Sequence, residues 1–447
     1  MNIAALVIVG VTLVFMILAI ALDWKIRIKK VTFALYWMIC LVGAIICLCC
    51  GFAGSNPITD IFLNDANINP LKILVIFISC TSISVLLDKI GFFSYIAAVI
   101  LSKNKSSQTK LFFSFSAIIA ILTIFTSNDI LILTFTPFIC YFSKNAKINP
   151  IPYIISEFVC ANVWSMFFFI DNPTNIYLCT TYGISFLEYA AVMAIPTAVC
   201  GVFSTFLVYF IFRKQLKEKI NIDEVKIVKP DKQLLTIGII GLTTMVLLMA
   251  ISNYIPNVEL WYIPLVCAGA TYIAIIICLL CKKEKFTIIW KSLGGLPYSL
   301  APFLLSMSVF IFTLYNAGLI PQISSFLQGN HMMVTGAISF GLGNLLNNIP
   351  MTMLFTQTLH GFTWVTEAGE IIDPSFYPYA YAVVASSNVC ALLTPIGSLA
   401  GIMFMKILRQ NEVKFSFKQF VGYGSIISIP TIALALVLIM VLPWVAI

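Results

Sequence analysis

The sequence predicts an all-α polytopic membrane protein built from two inverted repeats, each with about five membrane spans, one re-entrant helical hairpin and broken helices. Three observations predict this fold class. The 447 residues are 60% hydrophobic and 10% charged, whereas soluble domains are about 25% charged. Apolar stretches of about 20 residues, the length that crosses a hydrocarbon core of about 30 Å, follow one another along the chain. Polar motifs interrupt these stretches at corresponding places in the two halves, about 220 positions apart.

The interrupting motifs form three matched pairs. Those in the first half are Ser127-Asn128-Asp129, Ala161-Asn162-Val163 and Asn172-Pro173-Thr174-Asn175. Those in the second half are Asn347-Asn348-Ile349-Pro350, Ser387-Asn388-Val389 and Thr394-Pro395-Ile396-Gly397-Ser398. Broken backbone at bilayer depth is tolerated only where it lines a protein cavity. The pairs therefore predict one substrate site between two repeats, as in secondary transporters.

Lysine and arginine are distributed unevenly between the loops, which predicts the orientation of the chain. The basic clusters fall at residues 25–30, 89–110, 144–147, 213–232, 282–291 and 406–418. The loops at 54–70, 182–188, 255–260, 318–331 and 361–378 contain neither residue. Because basic loops stay in the cytoplasm, we expect a multi-pass protein of the cell (plasma) membrane with its N-terminus outside.

The first repeat is predicted to cover residues 1–212. Residues 2–22 are interpreted as a retained transmembrane helix, since they lack a basic n-region and a cleavage site. Residues 111–143 begin and end beside cytoplasmic lysines but are too short for two full spans, which need about 40 residues. They are therefore interpreted as a re-entrant hairpin with its tip at 127–129. The other predicted elements are spans at 31–53, 71–87 and 187–212, an interfacial helix at 92–102 and a broken span at 152–181.

The charged stretch 213–233 is predicted to be a cytoplasmic linker, and residues 234–447 form the second repeat. That repeat is expected to follow the same order with inverted direction, so that its hairpin enters from outside and the two tips meet near the midplane. Its predicted elements are spans at 234–254, 261–281, 297–316 and 420–446, an interfacial segment at 319–328, a hairpin at 332–360 and a broken span at 379–408.

Uncharged polar residues at the hairpin tips and helix breaks are the candidates for substrate binding. Half-helix N-termini suit anions or polarised oxygen ligands, and amide and hydroxyl side chains add donors and acceptors without burying a full charge. The alternative is that these side chains only cap the broken helix ends. The candidates are Ser127, Asn128, Asn175, Asn347, Asn348, Thr394 and Ser398.

Two acids within the interrupted elements, Asp129 and Asp171, are candidates for carrying the coupling ion or proton. Acids inside a membrane are costly and usually functional, and neither broken element contains a lysine or arginine that pairs with them. The alternative is a hydrogen-bonded structural acid. Glu157 and Glu188 are expected at the membrane interface, and Asp88 is expected to cap a span beside Lys89.

The remaining composition excludes several classes of function. The 13 cysteines show no paired metal spacing, and there are only two histidines, so neither a metal centre nor a catalytic triad is expected. No Walker motif is present, so the chain is not expected to hydrolyse ATP. We therefore predict a non-enzyme without a cofactor. The net charge of +8 reflects loop lysines and arginines that set orientation, and it does not indicate a nucleic-acid partner.

Five segments resemble the ion transporter superfamily, and specifically its arsenical-pump membrane protein (arsenite permease) branch. The similarity covers roughly residues 71–446, and the last segment is the most specific. The segments are LLDKIGFF at 86–93, Ser127-Asn128-Asp129 with Leu133-Thr134 and Pro137, FLEYAAVM at 186–193, Asn347-Asn348-Ile349-Pro350, and LTPIGSLA at 393–400.

The resemblance implies a secondary transporter that exports arsenite or antimonite by proton exchange, in some members with a separate ATPase subunit. Arsenite is a neutral trihydroxide at pH 7, which suits a cage of Asn, Ser and Thr.

Two departures from the family pattern keep alternatives open. Residues 386–391 lack the Gly-Pro of the family, and Asp171-Asn172-Pro173-Thr174-Asn175 resembles the breaks of sodium/proton antiporters and carboxylate transporters. The alternatives are a sodium- or proton-coupled transporter of a carboxylate or other oxyanion, a sodium/proton antiporter, and a passive channel. The sequence leaves open whether the chain forms a homodimer.

Overall fold

A computed structural model describes residues 2–22, 24–28, 31–54, 56–63, 69–104, 106–218, 227–254, 258–366, 369–372 and 375–441. Part of the predicted linker 213–233 and the end of the last predicted span lie outside these residues. Within them the protein is almost entirely helical, which confirms the predicted all-α polytopic fold class. Seven of the described helices are long and apolar enough to cross a membrane, or eight if one bent pair forms a single span.

The described part of the first half contains nine α-helices. They are α1 (Ile3–Ala21), α2 (Leu35–Cys49), α3 (Pro70–Ile90), α4 (Phe92–Lys103), α5 (Gln108–Phe125), α6 (Asn128–Asn145), α7 (Ile151–Val163), α8 (Pro173–Thr181) and α9 (Phe186–Leu216). Helices α5 and α6 occupy the segment for which the sequence predicts the first hairpin. Helices α7 and α8, separated by two short 3₁₀ turns at Trp164–Met166 and Phe169–Asp171, occupy the predicted broken span.

The second half has the same succession of helices with one addition. Its helices are α10 (Lys232–Ala250), α11 (Tyr262–Cys281), α12 (Thr287–Gly294), α13 (Leu300–Asn316), α14 (Leu319–Gln328), α15 (Met332–Leu346), α16 (Asn348–Leu359), α17 (Phe376–Val389), α18 (Leu399–Gln410) and α19 (Phe417–Val441). The short helix α12 has no counterpart among the described helices of the first half and is not predicted by the sequence. Two 3₁₀ turns, Cys390–Leu392 and Pro395–Gly397, separate α17 from α18.

Two short antiparallel hairpins add the only β-structure found in the described part of the chain. Strand β1 (Lys25–Ile28) pairs with β2 (Val31–Ala34), with Lys25 opposite Ala34. Strand β3 (Thr363–Thr366) pairs with β4 (Gly369–Ile372), with Thr363 opposite Ile372. The sequence does not predict these strands, because four residues are too few to show a periodic pattern.

A left-handed glycine ends the third span of each half at a corresponding place. Gly91, with φ +95°, separates α3 from α4, and Gly318, with φ +82°, separates α13 from α14. These values are open to glycine at little cost because it has no Cβ. The second turn bends the chain by 81°. In each half a short helix, α4 or α14, therefore follows the glycine and precedes the segment predicted as a hairpin.

The two halves contact each other through reciprocal pairs of helices. Helix α2 packs against α13, and α11 packs against α3. In the same way α6 packs against α18, and α8 packs against α16. Each half therefore completes its packing on the other half.

The interrupted elements lie at the centre of the molecule. Residues 152–163 of α7 are all buried, whereas only 22% of the apolar window of α10 is buried inside the protein. Helices at the periphery thus expose apolar side chains, as expected for surfaces that face lipid. The polar motifs lie on the central helices, where their side chains contact protein.

Candidate functional site

The tips of both predicted hairpins and both helix breaks line one small central cavity. Asn128 and Asp129 come from the first tip and Asn348 from the second. Asn172 comes from the first break and Ser398 from the second, and Leu300 of α13 supplies an apolar wall. Four of the nine predicted site residues therefore meet here, namely Asn128, Asp129, Asn348 and Ser398.

Four helices begin at this cavity. The lining includes the first residues of α6, α8, α16 and α18, since Asn128, Pro173, Asn348 and Leu399 are their respective starting positions. The first turn of a helix has backbone N–H groups without intrahelical partners and carries a partial positive charge. The four helix starts therefore give the cavity a partial positive potential, with a single carboxylate, Asp129, among its described lining residues.

The first tip is a short, unstrained connection. Thr126 Oγ1 donates to the Leu122 carbonyl at 2.8 Å, and the Asp129 N–H donates to Asn128 Oδ1 at 2.9 Å. Ser127 joins α5 to α6 with φ −54° and ψ 129°. Its hydroxyl is buried without a hydrogen-bond partner in the described structure, and it does not line the cavity. Of the three predicted residues at this tip, Ser127 lies behind the other two.

The second tip is strained at Asn347. Its φ of +82° and ψ of 152° lie in a region that is nearly restricted to glycine. Asn347 Oδ1 accepts from the Ile349 N–H at 3.3 Å, and its Nδ2 donates to the Ile396 carbonyl at 3.0 Å. The side chain thus caps α16 and ties the tip to the second break. Asn348, whose Nδ2 donates to the Ser387 carbonyl at 3.3 Å, is the residue of this pair that reaches the cavity.

The first break holds Asn175 and Asp171 away from the cavity. Asn175 Nδ2 donates to the Ser165 carbonyl at 3.0 Å, and its Oδ1 accepts from Asn388. Asp171 is 1% exposed, and neither carboxylate oxygen accepts a hydrogen bond of normal geometry from the described part of the chain. It immediately precedes Asn172, whose Oδ1 accepts from the Thr174 N–H at 3.2 Å and caps α8.

The second break is held by side-chain caps and by close backbone contacts. Thr394 Oγ1 donates to Asn344 Oδ1 at 2.9 Å, so its hydroxyl contacts α15 rather than the cavity. Ser398 Oγ accepts from the Gly401 N–H at 3.0 Å and caps α18. A Cβ on Gly424 of α19 would overlap the Leu392 carbonyl oxygen. Glycine at this position therefore lets α19 approach the backbone of the break.

Asn388 connects the two breaks, although it is not among the site residues predicted from the sequence. Its Nδ2 donates to Asn175 Oδ1 at 2.8 Å, and its Oδ1 accepts from Asn172 Nδ2 at 2.8 Å. Ser165 Oγ lies 2.9 Å from the same oxygen. All three partners belong to the first half, and Asn388 is completely buried. The signal that identifies it is the recurrence of an asparagine at this point of both broken spans.

Glu157, which the sequence predicts to lie at the membrane interface, is enclosed by protein in the structure. It is completely buried, because α5, α6 and α9 pack around α7. Thr136 Oγ1 of α6 donates to Glu157 Oε2 at 2.8 Å, while Oε1 has no described partner. Glu188, in contrast, forms a capping box with Ser185 at the start of α9.

Asp88 ends a span and also connects two helices. Its backbone carbonyl accepts from the Gly91 N–H, as expected of a boundary residue. Its carboxylate also pairs with Lys89 at 2.7 Å and accepts from Thr134 Oγ1 of α6 at 2.7 Å. Asp88 therefore fixes α3 against the helix that carries Asn128 and Asp129.

A multi-pass fold in which broken helices surround a central polar cavity is typical of membrane transporters. Comparison with known proteins supports this class. A family model described as arsenical pump membrane protein matches residues 7–444. The chain therefore belongs to the arsenical pump membrane protein family, which confirms the resemblance noted in the sequence, and it is a membrane transporter.

Named relatives and a solved structure agree with this family and fold. The arsenical pump membrane protein of Escherichia coli (strain K12) is 26% identical over 376 residues, which cover 80% of this chain and 84% of the relative. A protein of the same name from Shigella flexneri gives the same values. The crystal structure of the Alcanivorax borkumensis YdaH transporter aligns with a TM-score of 0.53 at 12% identity, covering 98% of this chain and 97% of that one. At this identity the similarity shows the fold alone.

Proposed function

We propose that the protein is a secondary active transporter that exports arsenite or antimonite in exchange for protons. The observation that carries this proposal is the single cavity formed by both tips and both breaks, with Asn128, Asn172, Asn348 and Ser398 in its wall. A neutral trihydroxide offers three O–H donors and three oxygen acceptors. The amide oxygens would accept from its hydroxyls, and the N–H groups that the capping side chains leave free at the helix starts would donate to its oxygens.

Asn128, Asn348 and Ser398 are proposed to contact the substrate directly. Asn175 and Asn347 do not line the cavity, and their side chains bond to protein groups, so we assign them to holding the breaks and the second tip in place. Ser127 and Thr394 lie behind the lining residues and are assigned the same supporting role. Positions within about 0.5 Å matter for a site of this kind, so substitutions at these four residues should also impair transport.

Asp129 is proposed to carry the coupling proton. Among the described residues it is the only carboxylate that lines the central cavity, and it forms no ion pair with any of them. When Asp129 holds a proton the substrate site is less suited to a hydroxyl donor, so proton and substrate would occupy the cavity alternately. Asp171, one residue before the cavity-lining Asn172, remains a second candidate for this role.

The reciprocal contacts between the halves support alternating access. They are the contacts expected if residues 1–212 and 234–447 are inverted repeats joined by the cytoplasmic linker 213–233, with the N-terminus outside the plasma membrane. In that arrangement each tip closes the cavity from one side of the membrane. We infer that the two sides open in turn, and that proton exchange needs no ATPase subunit.

The four helix starts also favour a second candidate, a sodium- or proton-coupled transporter of a carboxylate or other oxyanion. Convergent helix N-termini attract negative charge, and the Asn172-Pro173-Thr174-Asn175 break resembles those of carboxylate transporters. Dependence of transport on sodium separates the two candidates, because arsenite export by proton exchange requires none.

A transport panel in everted membrane vesicles tests the proposal. Vesicles with the wild-type protein, energised by a pH gradient in the absence of ATP, are expected to accumulate arsenite and antimonite but not sulfate, citrate or succinate. Asn128→Ala should lower the rate about tenfold, since losing one hydrogen bond of about 1.4 kcal/mol corresponds to that factor. Asn411→Ala is the matched control, because the Asn411 side chain donates to the Ile407 carbonyl at the far end of α18.

Two results would count against arsenite export. One is sodium-dependent accumulation of citrate or succinate without arsenite transport, which would establish the second candidate. The other is arsenite flux that neither saturates nor responds to a pH gradient, which would indicate a channel.

A further inference from the structure

A second small cavity lies apart from the central one. Its wall includes Tyr177 of α8, Ser308 and Phe312 of α13, Gln357 of α16, and Asp60. Asp60 belongs to a π-helical turn, Thr59–Leu63, in the segment between α2 and α3. The described linings of the two cavities share no residue.

The same three helices line both cavities at different heights. On α13 the lining passes from Leu300 to Ser308, and on α16 from Ile349 to Gln357. Eight residues of α-helix rise about 12 Å. On α8 the lining passes from Pro173 to Tyr177, and four residues of helix rise about 6 Å. The second cavity therefore lies roughly 10 Å from the central cavity, in the direction in which α8, α13 and α16 all run.

The polar groups of the second cavity include two acceptors without donors. Gln357 Oε1 is buried and receives no hydrogen bond from the described residues. The Asp60 carboxylate, which is partly buried, forms neither a hydrogen bond nor an ion pair with the part of the chain described. A solute that donates O–H groups would satisfy both, whereas an anion would be repelled by Asp60.

We propose that this cavity is a second substrate site, through which a small neutral hydroxyl donor leaves the central cavity towards the outside. This inference rests on the proposed export of arsenite. It assigns Asp60 and Gln357 the role of accepting hydrogen bonds from the trihydroxide. The carboxylate also gives the outward path a preference for neutral over anionic solutes.

Counting bound substrate in the purified protein tests the second site. The probe is arsenite, titrated calorimetrically into protein carrying Cys49→Ser, Cys50→Ser, Cys278→Ser and Cys281→Ser. These accessible thiols lie in two close pairs and would otherwise bind the probe. Two sites are expected. Gln357→Met and Asp60→Asn should each weaken binding at the second site at least tenfold and leave the central site unchanged. Asn128→Ala should weaken binding at the central site only. Gln322→Met, an exposed position on α14, is the matched control and should keep both.

The outcomes separate this inference from the proposed function. If no arsenite binds at all, the proposed function fails. If one arsenite binds, Asn128→Ala removes it, and neither Gln357→Met nor Asp60→Asn changes its affinity, the central site stands and the second site is refuted.

Thiol labelling provides a second measurement that does not depend on binding. In protein whose exposed cysteines are replaced by Cys49→Ser, Cys50→Ser and Cys281→Ser, Ser308→Cys should react with a membrane-impermeant maleimide added to intact cells, because Ser308 lines the outward cavity. Ser306→Cys, on the same helix and 1% exposed, lines neither cavity and should react at least tenfold more slowly. The proposal would be overturned if Ser308→Cys and Ser306→Cys reacted at the same slow rate. It would also be overturned if Ser308→Cys reacted only with maleimide added at the cytoplasmic face.

Discussion

Asn388 of α17 and Asn175 of α8 are joined by a hydrogen bond of 2.8 Å, from Asn388 Nδ2 to Asn175 Oδ1. The two residues are 213 positions apart, and both are completely buried. Because each lies beside a helix break, the bond links the two interrupted spans directly. The two breaks are therefore one hydrogen-bonded polar unit, and a substitution at one break should also destabilise the other.

Removing the Asn388 side chain should destabilise the protein strongly. Asn388→Ala removes the bonds that Asn172, Asn175 and Ser165 make across the breaks. It leaves Asn172 Nδ2 with no described partner, and an orphaned buried group costs about 1–3 kcal/mol. The matched control is Asn162→Ala: Asn162 is similarly buried, but its Nδ2 donates to the Phe158 carbonyl of its own helix. Thermal unfolding in detergent should rank wild type, Asn162→Ala and Asn388→Ala in falling order. Equal melting temperatures for the two variants would contradict this.

The strained backbone at Asn347 predicts a difference between two small substitutions. Asn347→Gly and Asn347→Ala both lose the bonds to Ile349 and Ile396, but only glycine adopts φ +82° and ψ 152° freely. Asn347→Gly should therefore be more stable than Asn347→Ala by about 1–3 kcal/mol. The measurement is the midpoint of chemical unfolding. If alanine proves as stable as glycine, the backbone at this tip is not strained as described.

Asp129→Asn should uncouple transport from the proton gradient. The amide keeps the size of the side chain but cannot carry a proton, so acceleration by a pH gradient should fall at least tenfold while exchange of labelled for unlabelled arsenite continues. Asp171→Asn, behind the cavity wall, should reduce the gradient-driven rate less. Both rates are measured in everted vesicles. An Asp129→Asn protein that still responds fully to the gradient would exclude Asp129 as the coupling residue.

Two glycines on α19 should respond in opposite ways to alanine. Gly424→Ala places a methyl group against the Leu392 carbonyl and should destabilise the second break by about 1–3 kcal/mol. A methyl group at Gly422 would have no described atom within 4 Å, so Gly422→Ala should be neutral or stabilise the helix by about 0.5–1 kcal/mol. The measurement is the melting temperature of each variant compared with that of the wild-type protein. A Gly424→Ala protein as stable as wild type would show that α19 does not press on the break.

The positions of the breaks could be predicted because polar and proline residues are costly within apolar membrane stretches unless they face a protein cavity. Asn128, Asp129, Asn348 and Ser398 follow from this rule, and they meet at one cavity. The sequence could not show which asparagine of a pair faces the cavity. Asn347 and Asn348 are adjacent and identical in type, and the backbone conformation at Asn347 turns the first away and leaves the second exposed to it.

Other features depend on contacts between distant segments, which a single sequence does not contain. Glu157 appears near the end of an apolar stretch, where an acid normally reaches the membrane surface, but three neighbouring helices enclose it. The motif that contains Asn388 can be recognised by its recurrence, but the role of Asn388 cannot, because its three cross-break partners lie in the other half. The helix α12 and the strands at 25–34 and 363–372 are too short for their periodicity to be recognised.

The reciprocal packing of α2 on α13 and of α11 on α3 has a consequence for biosynthesis. At translation rates of about 5–20 residues per second, α2 leaves the ribosome tens of seconds before α13 exists. Its partner face must meanwhile rest against lipid or the insertion machinery. Two polypeptides separated within 213–233 would accordingly each enter the bilayer, yet survive proteolytic quality control only when produced in the same cell.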